Sequence, residues 1–346
     1  MTSHEYIKAY TKSISPKMRY DFNEDFSLWQ ERSRKKLSEL LGLPLKKAEN
    51  NNFRIIDHYQ RDELEFIRFE FQSEDNCTVA CCLVKLVEKR HKLPMVICLQ
   101  GHSTGMHISL GEQRYDGDLE LISGGRDFAV RAAKEGMLAI AIEQRYMGLN
   151  GSNNGEPSCV PNNNFTHSNE AMASLLVGRT AIGERVWDVK CTIDIAQKYF
   201  EKMIDFSKVI CLGNSGGGTV TFYSACIDER ITLAVPSCSV CTYADSIMSV
   251  NHCPCNFIPN IRKYFDMSDL CGLVLPRKMI IVCGKDDGIF PLHGVRQTYE
   301  EARLMFEHVK KEKNLRLIIG GEGHRFYPDE TWPVIHMLTD DDYMNV

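Results

Sequence analysis

Residues 209–218 read Val-Ile-Cys-Leu-Gly-Asn-Ser-Gly-Gly-Gly, an apolar run that stops at a serine set among glycines. A helix-compatible segment, residues 219–226, follows at once. This layout predicts a buried strand, a sharp turn at Ser215 and a helix, the arrangement that presents a serine as a nucleophile. The glycines are what such a turn requires. Its serine sits on unusual backbone, and side chains two positions away would meet the neighbouring strand or helix. Short motifs also arise by chance, so the surrounding pattern decides whether this one carries chemistry.

Residues 1–48 read as helical and polar, with Phe26, Trp29, Leu37, Leu40 and Leu41 at helical spacing and Gly42-Leu43-Pro44 ending the pattern. They predict a helical extension packed on a main domain, residues 49–346. Residues 53–88 turn strand-like. Phe53, Ile55 and Tyr59 share one face at period two, and residues 66–71 and 78–87 continue the alternation. Antiparallel strands at one sheet edge are expected there.

Beyond them the pattern alternates. Strands are predicted at 94–99, 137–142, 209–214, 233–235, 278–283 and 315–319, with helices at 128–134 and, long and amphipathic, at 180–202. Short apolar runs separated by helices predict an α/β fold with a mostly parallel, doubly wound sheet. Residues 103–126 and 148–178 follow strand ends, where open α/β sheets bind ligands, and predict pocket walls. Residues 237–269, rich in Cys, Met and aromatics, predict a cap.

The net charge of −5 over 346 residues gives no electrostatic reason to expect nucleic acid or an anionic membrane as partner. No run reaches the roughly 18 apolar residues that span a bilayer. Residues 1–8 lack an apolar signal core, so a cytoplasmic chain is expected. Fourteen cysteines are scattered along the chain, several inside apolar runs (Cys81, Cys82, Cys211, Cys283), which predicts buried, reduced thiols.

A nucleophilic serine needs a base, and the base an orienting acid. His324 lies in Glu322-Gly323-His324 just after the strand at 315–319, and Asp287 in Gly284-Lys285-Asp286-Asp287-Gly288 just after the strand at 278–283. Asp286 is the alternative acid, since acids favour such turns for local hydrogen bonding. His336 falls within a helix-like run and His293 at a helix start, which makes both poorer bases. For a developing oxyanion, the donors expected are the amide of Gly216 and one from Gln100-Gly101-His102-Ser103, by position His102 with Ser103 the alternative. Glu143 and Arg145 are expected to pin their loop through a buried ion pair rather than to contact substrate, Trp187 to sit in the core, and Asp188 to lie on the helix surface or anchor a loop. Cys238-x-x-Cys241 together with His252-Cys253-Pro254-Cys255 offers enough soft ligands for zinc. The irregular Cys-x-Cys spacing and apolar surroundings favour pocket or core thiols over either zinc or a redox pair, with no metal expected.

With Ser215, Asp287 and His324 in that order, Glu143-Gln144-Arg145-Tyr146-Met147-Gly148 after an earlier strand and Gly323-His324-Arg325-Phe326-Tyr327 near the end, the chain resembles the α/β-hydrolase superfamily over roughly residues 25–340. Within it, the chain resembles the bacterial acetyl xylan esterase and cephalosporin deacetylase-like group, related to the dienelactone hydrolases. Dienelactone hydrolases proper carry a cysteine nucleophile, and the serine at 215 favours esterase or deacetylase action. The resemblance implies hydrolysis of short-chain esters, acetylated sugars among them, through an acyl-enzyme without metal or organic cofactor, and, by analogy, a homo-oligomer. The cap segment 251–264, with Phe257, Ile258, Pro259 and Tyr264, is then expected to close over a small acyl or sugar group. Two other readings are an oligopeptidase of the same fold, which the lack of any repeat-built propeller argues against, and a non-catalytic binding protein.

Overall fold

The computed structural model describes residues 1–88, 91–102, 104–150 and 168–340. The strands are β1 (Arg54–Arg61), β2 (Leu64–Glu74), β3 (Cys77–Leu86), β4 (Leu93–Leu99), β5 (Leu138–Ile142), β6 (Ile204–Asn214), β7 (Leu233–Ser237), β8 (Lys278–Gly284) and β9 (Leu315–Gly320). They form one sheet in the order β1-β2-β3-β5-β4-β6-β7-β8-β9. The first three strands pair antiparallel, and β3 meets β5 antiparallel. Every pair from β5 across to β9 is parallel.

The apolar runs are continuous because both sheet faces are covered. Met95, Ile97 and Leu99 of β4 point into one core with the helices Phe26–Leu41, Ala181–Tyr199, Gly216–Ile227 and Leu292–His308. Val96 and Cys98 point into the other, under the helices Phe128–Lys134 and Pro328–Thr339. The sheet is doubly wound, as its strand grammar predicts.

The N-terminal helices, Ser3–Ser13 and Phe26–Leu41, lie on the first of these faces. Trp29, Leu37 and Leu41 are buried there. Gln30 donates to the carbonyls of Gly272 and Leu275, and Arg34 to those of Cys226 and Leu273, so the extension is bonded to the main body as well as packed on it.

Three expectations differ. Phe53, Ile55 and Tyr59 do not share one inward face: Phe53 packs against one core, Tyr59 against the other, and Ile55 against neither. A bulge between Ile55 and Asp57 breaks the period-two parity, and Ile55 and Ile56 both stay exposed on the edge strand. The helix Ala181–Tyr199 is not amphipathic in use, because residues 181–189 are all buried, Glu184, Arg185 and Asp188 included. Of the predicted cap, Phe257 and Ile258 line a groove of about 290 Å³ with Ile7 and Tyr10 of the first helix and Ile14 just after it, whereas Cys253 and Cys255 lie against His102. Tyr264 lies beneath Lys36, whose ammonium is 4.7 Å from its ring centre.

The two buried carboxylates of that helix, Glu184 and Asp188, have charged partners in Arg179 and Arg145. Arg145 Nε and Nη2 donate to the two Asp188 oxygens at 2.7 Å each, and Nη1 donates to Glu74 at 2.7 Å. One guanidinium thereby ties the loop after β5 to the end of β2 and to the long helix. Trp187, 6% exposed, donates to Ser73 O from the same turn. Glu143 does not pair with Arg145 as expected and takes backbone amides instead. Among the described residues no helix is long and apolar enough to cross a membrane.

Breaking a buried, bidentate pair leaves an uncompensated charge. Arg145→Met is expected to lower unfolding stability by about 3–5 kcal/mol in urea titration. Arg303→Met, which removes the exposed partner of Glu300, is expected to change it by under about 0.5 kcal/mol.

Candidate active site

Ser215 follows β6 directly, and its φ of 55° and ψ of −119° place it in a region that L-residues rarely adopt. Such a conformation costs about 1–3 kcal/mol and persists only where the surroundings over-determine it. Here they do. The Ser215 amide donates to Ser237 O at 2.8 Å, and its carbonyl accepts from Thr219 N at 2.8 Å as the helix Gly216–Ile227 begins. The turn also needs the close approach of Gly217, where a Cβ would lie 2.2 Å from Leu99 O. Gly216 is the first residue of that helix, so its N–H is one of the donors that a helix start leaves unsatisfied.

Asp287 lies after β8 in a tight turn, where its Oδ1 accepts the amides of Ile289 and Phe290 at 2.8 and 3.0 Å. Its Oδ2 is 2.8 Å from His324 Nδ1. Burial pushes this carboxyl up, but the His324 hydrogen bond and charge, with the two amides, outweigh burial and hold it below the ordinary range. Asp286 points elsewhere: its side chain is 68% exposed, beside Lys285. The structure therefore brings Asp287, and not Asp286, to the histidine. His324 Nε2 is buried and has no hydrogen-bond partner among the described residues. The Phe290 ring stacks beside the imidazole, with centres 6.0 Å apart.

His336 is 2.7 Å from Glu135 on the helix Pro328–Thr339, and His293 flanks the helix Leu292–His308 beside Asp245. Neither joins the group at the strand ends. Ser103 lies outside the described residues, as do residues 151–167 of the second predicted pocket wall. The first wall behaves as expected: Glu120, Leu121, Ser123, Gly124 and Arg126 line a cavity of about 420 Å³ together with His324 and Arg325.

Arg126 gave no sequence signal, since it belongs to no motif and no periodic face. It donates to Gln100 Oε1 at 3.0 Å and to Thr104 Oγ1 at 3.2 Å, while Gln100 donates back to Arg126 O at 2.7 Å. Gly101 separates it from the serine: a Cβ there would lie 3.0 Å from Arg126 Nη2 and 3.3 Å from Ser215 Cβ. Burial pulls this guanidinium down to about 10. Arg126 thus holds the loop that carries His102 against the serine turn.

The cap cysteines divide. Cys238 Sγ donates to Arg325 O at 3.2 Å, close to Asp287 and His324, and Cys241 Sγ donates to Pro291 O. Cys253 and Cys255 instead lie together against the His102 ring. His252 turns to Ser246 and Asn256. The four thiols imagined as one ligand set are not brought to one point. The His102 side chain, for which the sequence suggested no role, stands against Gly216, where a Cβ would lie 2.7–2.9 Å from its ring atoms.

The Abhydrolase family profile matches residues 1–317, most of the chain, including Ser215 and Asp287. The chain belongs to the Abhydrolase family. This Abhydrolase-family chain is 25% identical over 153 residues to the protein YtaP of Bacillus subtilis (strain 168), assigned as a hydrolase, a stretch covering 43% of this chain and 50% of that protein. It spans about half the length of that curated relative. Among solved structures it is similar to a protein from Bacteroides fragilis NCTC 9343 assigned as an acetyl xylan esterase, with a TM-score of 0.75, 16% identity, and coverage of 96% of this chain and 84% of that one. A glucuronoyl esterase from Solibacter usitatus superposes with a TM-score of 0.69 at 12% identity, covering 94% of this chain and 98% of that one. These likenesses establish a shared α/β-hydrolase fold.

Glu143 joins the two loops that flank this site. Its carboxylate accepts Met106 N at 3.1 Å and Leu149 N at 3.3 Å. Burial nevertheless dominates and pushes it up to about 7 from 4.5. A carboxyl raised on folding stabilises the fold below its unfolded value, and that contribution is lost as pH rises. Relative to Glu143→Gln, the wild type is therefore expected to lose about 1–3 kcal/mol of stability between pH 4.5 and 7. Above pH 7 the two denaturation midpoints are expected to run parallel.

Proposed function

We propose that this chain is a serine ester hydrolase working through an acyl-enzyme, with Ser215, His324 and Asp287 as its triad. The observation that carries the reading is the Asp287–His324 pair at 2.8 Å, whose free Nε2 is buried at the strand ends where Ser215 occupies its strained turn. Ser215 Oγ attacks the ester carbonyl while His324 Nε2 takes its proton. Asp287 keeps the proton on Nδ1 and stabilises the imidazolium that forms. The same proton then goes to the departing alkoxide, leaving an acyl-serine, and a water activated by His324 releases the acid. The amides of Gly216 and His102 are assigned to the oxyanion, where such donors are worth about 10²–10³ in rate. His324 Nε2 has no partner among the described residues, and a serine–histidine hydrogen bond of this kind commonly forms only on substrate binding.

The substrate class proposed is small esters, with short acyl groups such as acetyl on a carbohydrate. Crowding supports a short acyl group: His102 stands against Gly216, and Phe290 beside His324. The acetyl xylan and glucuronoyl esterase neighbours support a carbohydrate ester as the alcohol half or the acid half.

Purified protein is expected to hydrolyse p-nitrophenyl acetate faster than the octanoate and to release acetate from acetylated sugars. Faster turnover of the octanoate would reject the short-acyl assignment. Ser215→Ala is expected to lower kcat by about 10⁶, and to abolish fluorophosphonate labelling. Wild-type protein that is folded yet unlabelled would reject the hydrolase. Asp287→Asn is expected to lower kcat by about 10⁴, through the wrong His324 tautomer, whereas Asp286→Asn leaves it within about twofold, as exposed substitutions usually do.

A further inference from the structure

Several donors converge on one sulfur beside the proposed oxyanion amides. Cys255 Sγ lies 2.9 Å from His102 Nε2, and it accepts from Cys253 Sγ at 3.1 Å and from Arg185 Nη1 at 3.3 Å. Arg185 pairs with no carboxylate among the described residues, and its Nη2 is buried without a partner. A sulfur facing an imidazole, a guanidinium and a thiol hydrogen is placed to be a thiolate, with the proton left on Cys253. Burial pushes the Cys255 thiol up, but the Cys253 hydrogen bond and the charges of His102 and Arg185 outweigh it and hold the thiol well below its ordinary range. Cys253 is pushed up by its hydrogen bond to Cys255 and by burial.

This asymmetry supplies the two thiol states that oxidation uses, an ionised sulfur to attack and a protonated neighbour to resolve the product; both sulfurs are buried, so the oxidant has to be as small as hydrogen peroxide. The turn Pro254–Asn256 holds both sulfurs on one side, already in contact. Zinc fits less well. Two sulfurs at 2.3 Å from one zinc ion stand about 3.8 Å apart, and the guanidinium at 3.3 Å would repel the cation.

We propose that Cys253 and Cys255 are a reversible, hydroperoxide-sensitive dithiol whose conversion to a disulfide removes the thiolate partner of the His102 ring and lowers hydrolysis at Ser215. In the first step the Cys255 thiolate attacks a peroxide oxygen. The O–O bond breaks, an S–O bond forms, and the departing hydroxide takes a proton to become water. Cys253 then loses its proton and attacks the Cys255 sulfur, forming the S–S bond and expelling a second water. Two thiols lose two electrons and two protons, and hydrogen peroxide gains both to give two waters. A disulfide sulfur is neutral and a weak acceptor, so the His102 ring loses its charged partner, and the His102 amide beside Gly216 is less firmly placed even though Arg126 still holds the rest of the loop. The effect on hydrolysis rests on the proposed oxyanion role of His102; the oxidation does not.

The test exposes reduced, folded protein to hydrogen peroxide, alkylates the remaining thiols and maps the peptides by mass, with p-nitrophenyl acetate turnover followed in parallel. The expected result is a loss of two hydrogens across the peptide holding Cys253 and Cys255, with turnover reduced at least tenfold, and both reversed by dithiothreitol. In Cys253→Ser, dimedone is expected to trap Cys255 as a sulfenic acid, with no disulfide formed. The proposal is overturned if other cysteines oxidise while Cys253 and Cys255 stay reduced, or if the disulfide forms and turnover is unchanged. A zinc ion on the isolated protein, removed by chelation and protecting this pair, would also overturn it. The wild-type mass map decides even if the variant does not fold, and fluorophosphonate labelling of Ser215 reports separately on the hydrolase reading.

Discussion

The site hangs on one strained residue. Ser215 can keep φ at 55° only while β6 on one side and the helix Gly216–Ile227 on the other are both held. The helix start is pressed on β4, so closely that Gly217 has no room for a Cβ beside Leu99 O, and the Ser215 amide is bonded to the end of β7. Three adjacent parallel strands therefore fix one backbone conformation. A hydroxyl fixed this way points where the strands end, and strain of this kind is retained because the packing around it offers no alternative.

Everything else in the site reaches the same sheet end by a different route. Asp287 and His324 arrive on the loops after β8 and β9 and meet through a hydrogen bond that overcomes the cost of burying the carboxylate. The loop after β4 is held by Arg126 and Gln100, and joined through Glu143 to the loop after β5. Behind that loop, Arg145 clasps Asp188 and Glu74. Buried charges thus brace loops that would otherwise have only turn geometry to hold them. Each such charge is costly alone and tolerable only when its hydrogen-bonding sites are filled.

The strand grammar was legible because burial on both faces removes polar residues from whole strands, as in β4 and β5. The triad candidates were legible because each follows such a strand within a few residues, and the choice between Asp286 and Asp287 needed only to know which carboxylate turns inward. Less of the periphery could be read. Edge strand β1 lost its expected parity at a bulge, which leaves no mark in apolar spacing. The helix Ala181–Tyr199 looked amphipathic because its polar residues repeat, yet Glu184, Arg185 and Asp188 are buried against partners far away in sequence. The cap sequence suggested a closure over substrate, and its Phe257 and Ile258 pack toward the N-terminal helix instead.

By itself, the sequence determined the α/β alternation, the serine turn and the order of three chemically matched residues, since each depends on local spacing and on strands long enough to be recognised. Tertiary structure alone decided which acid meets His324, that Arg126 stands beside the serine turn, and that His102 shares its ring with Cys255 and Gly216. Those are contacts between residues up to 153 positions apart, as His102 and Cys255 are. Their energies come from burial and charge in a shared low-dielectric space, which one-dimensional spacing does not encode.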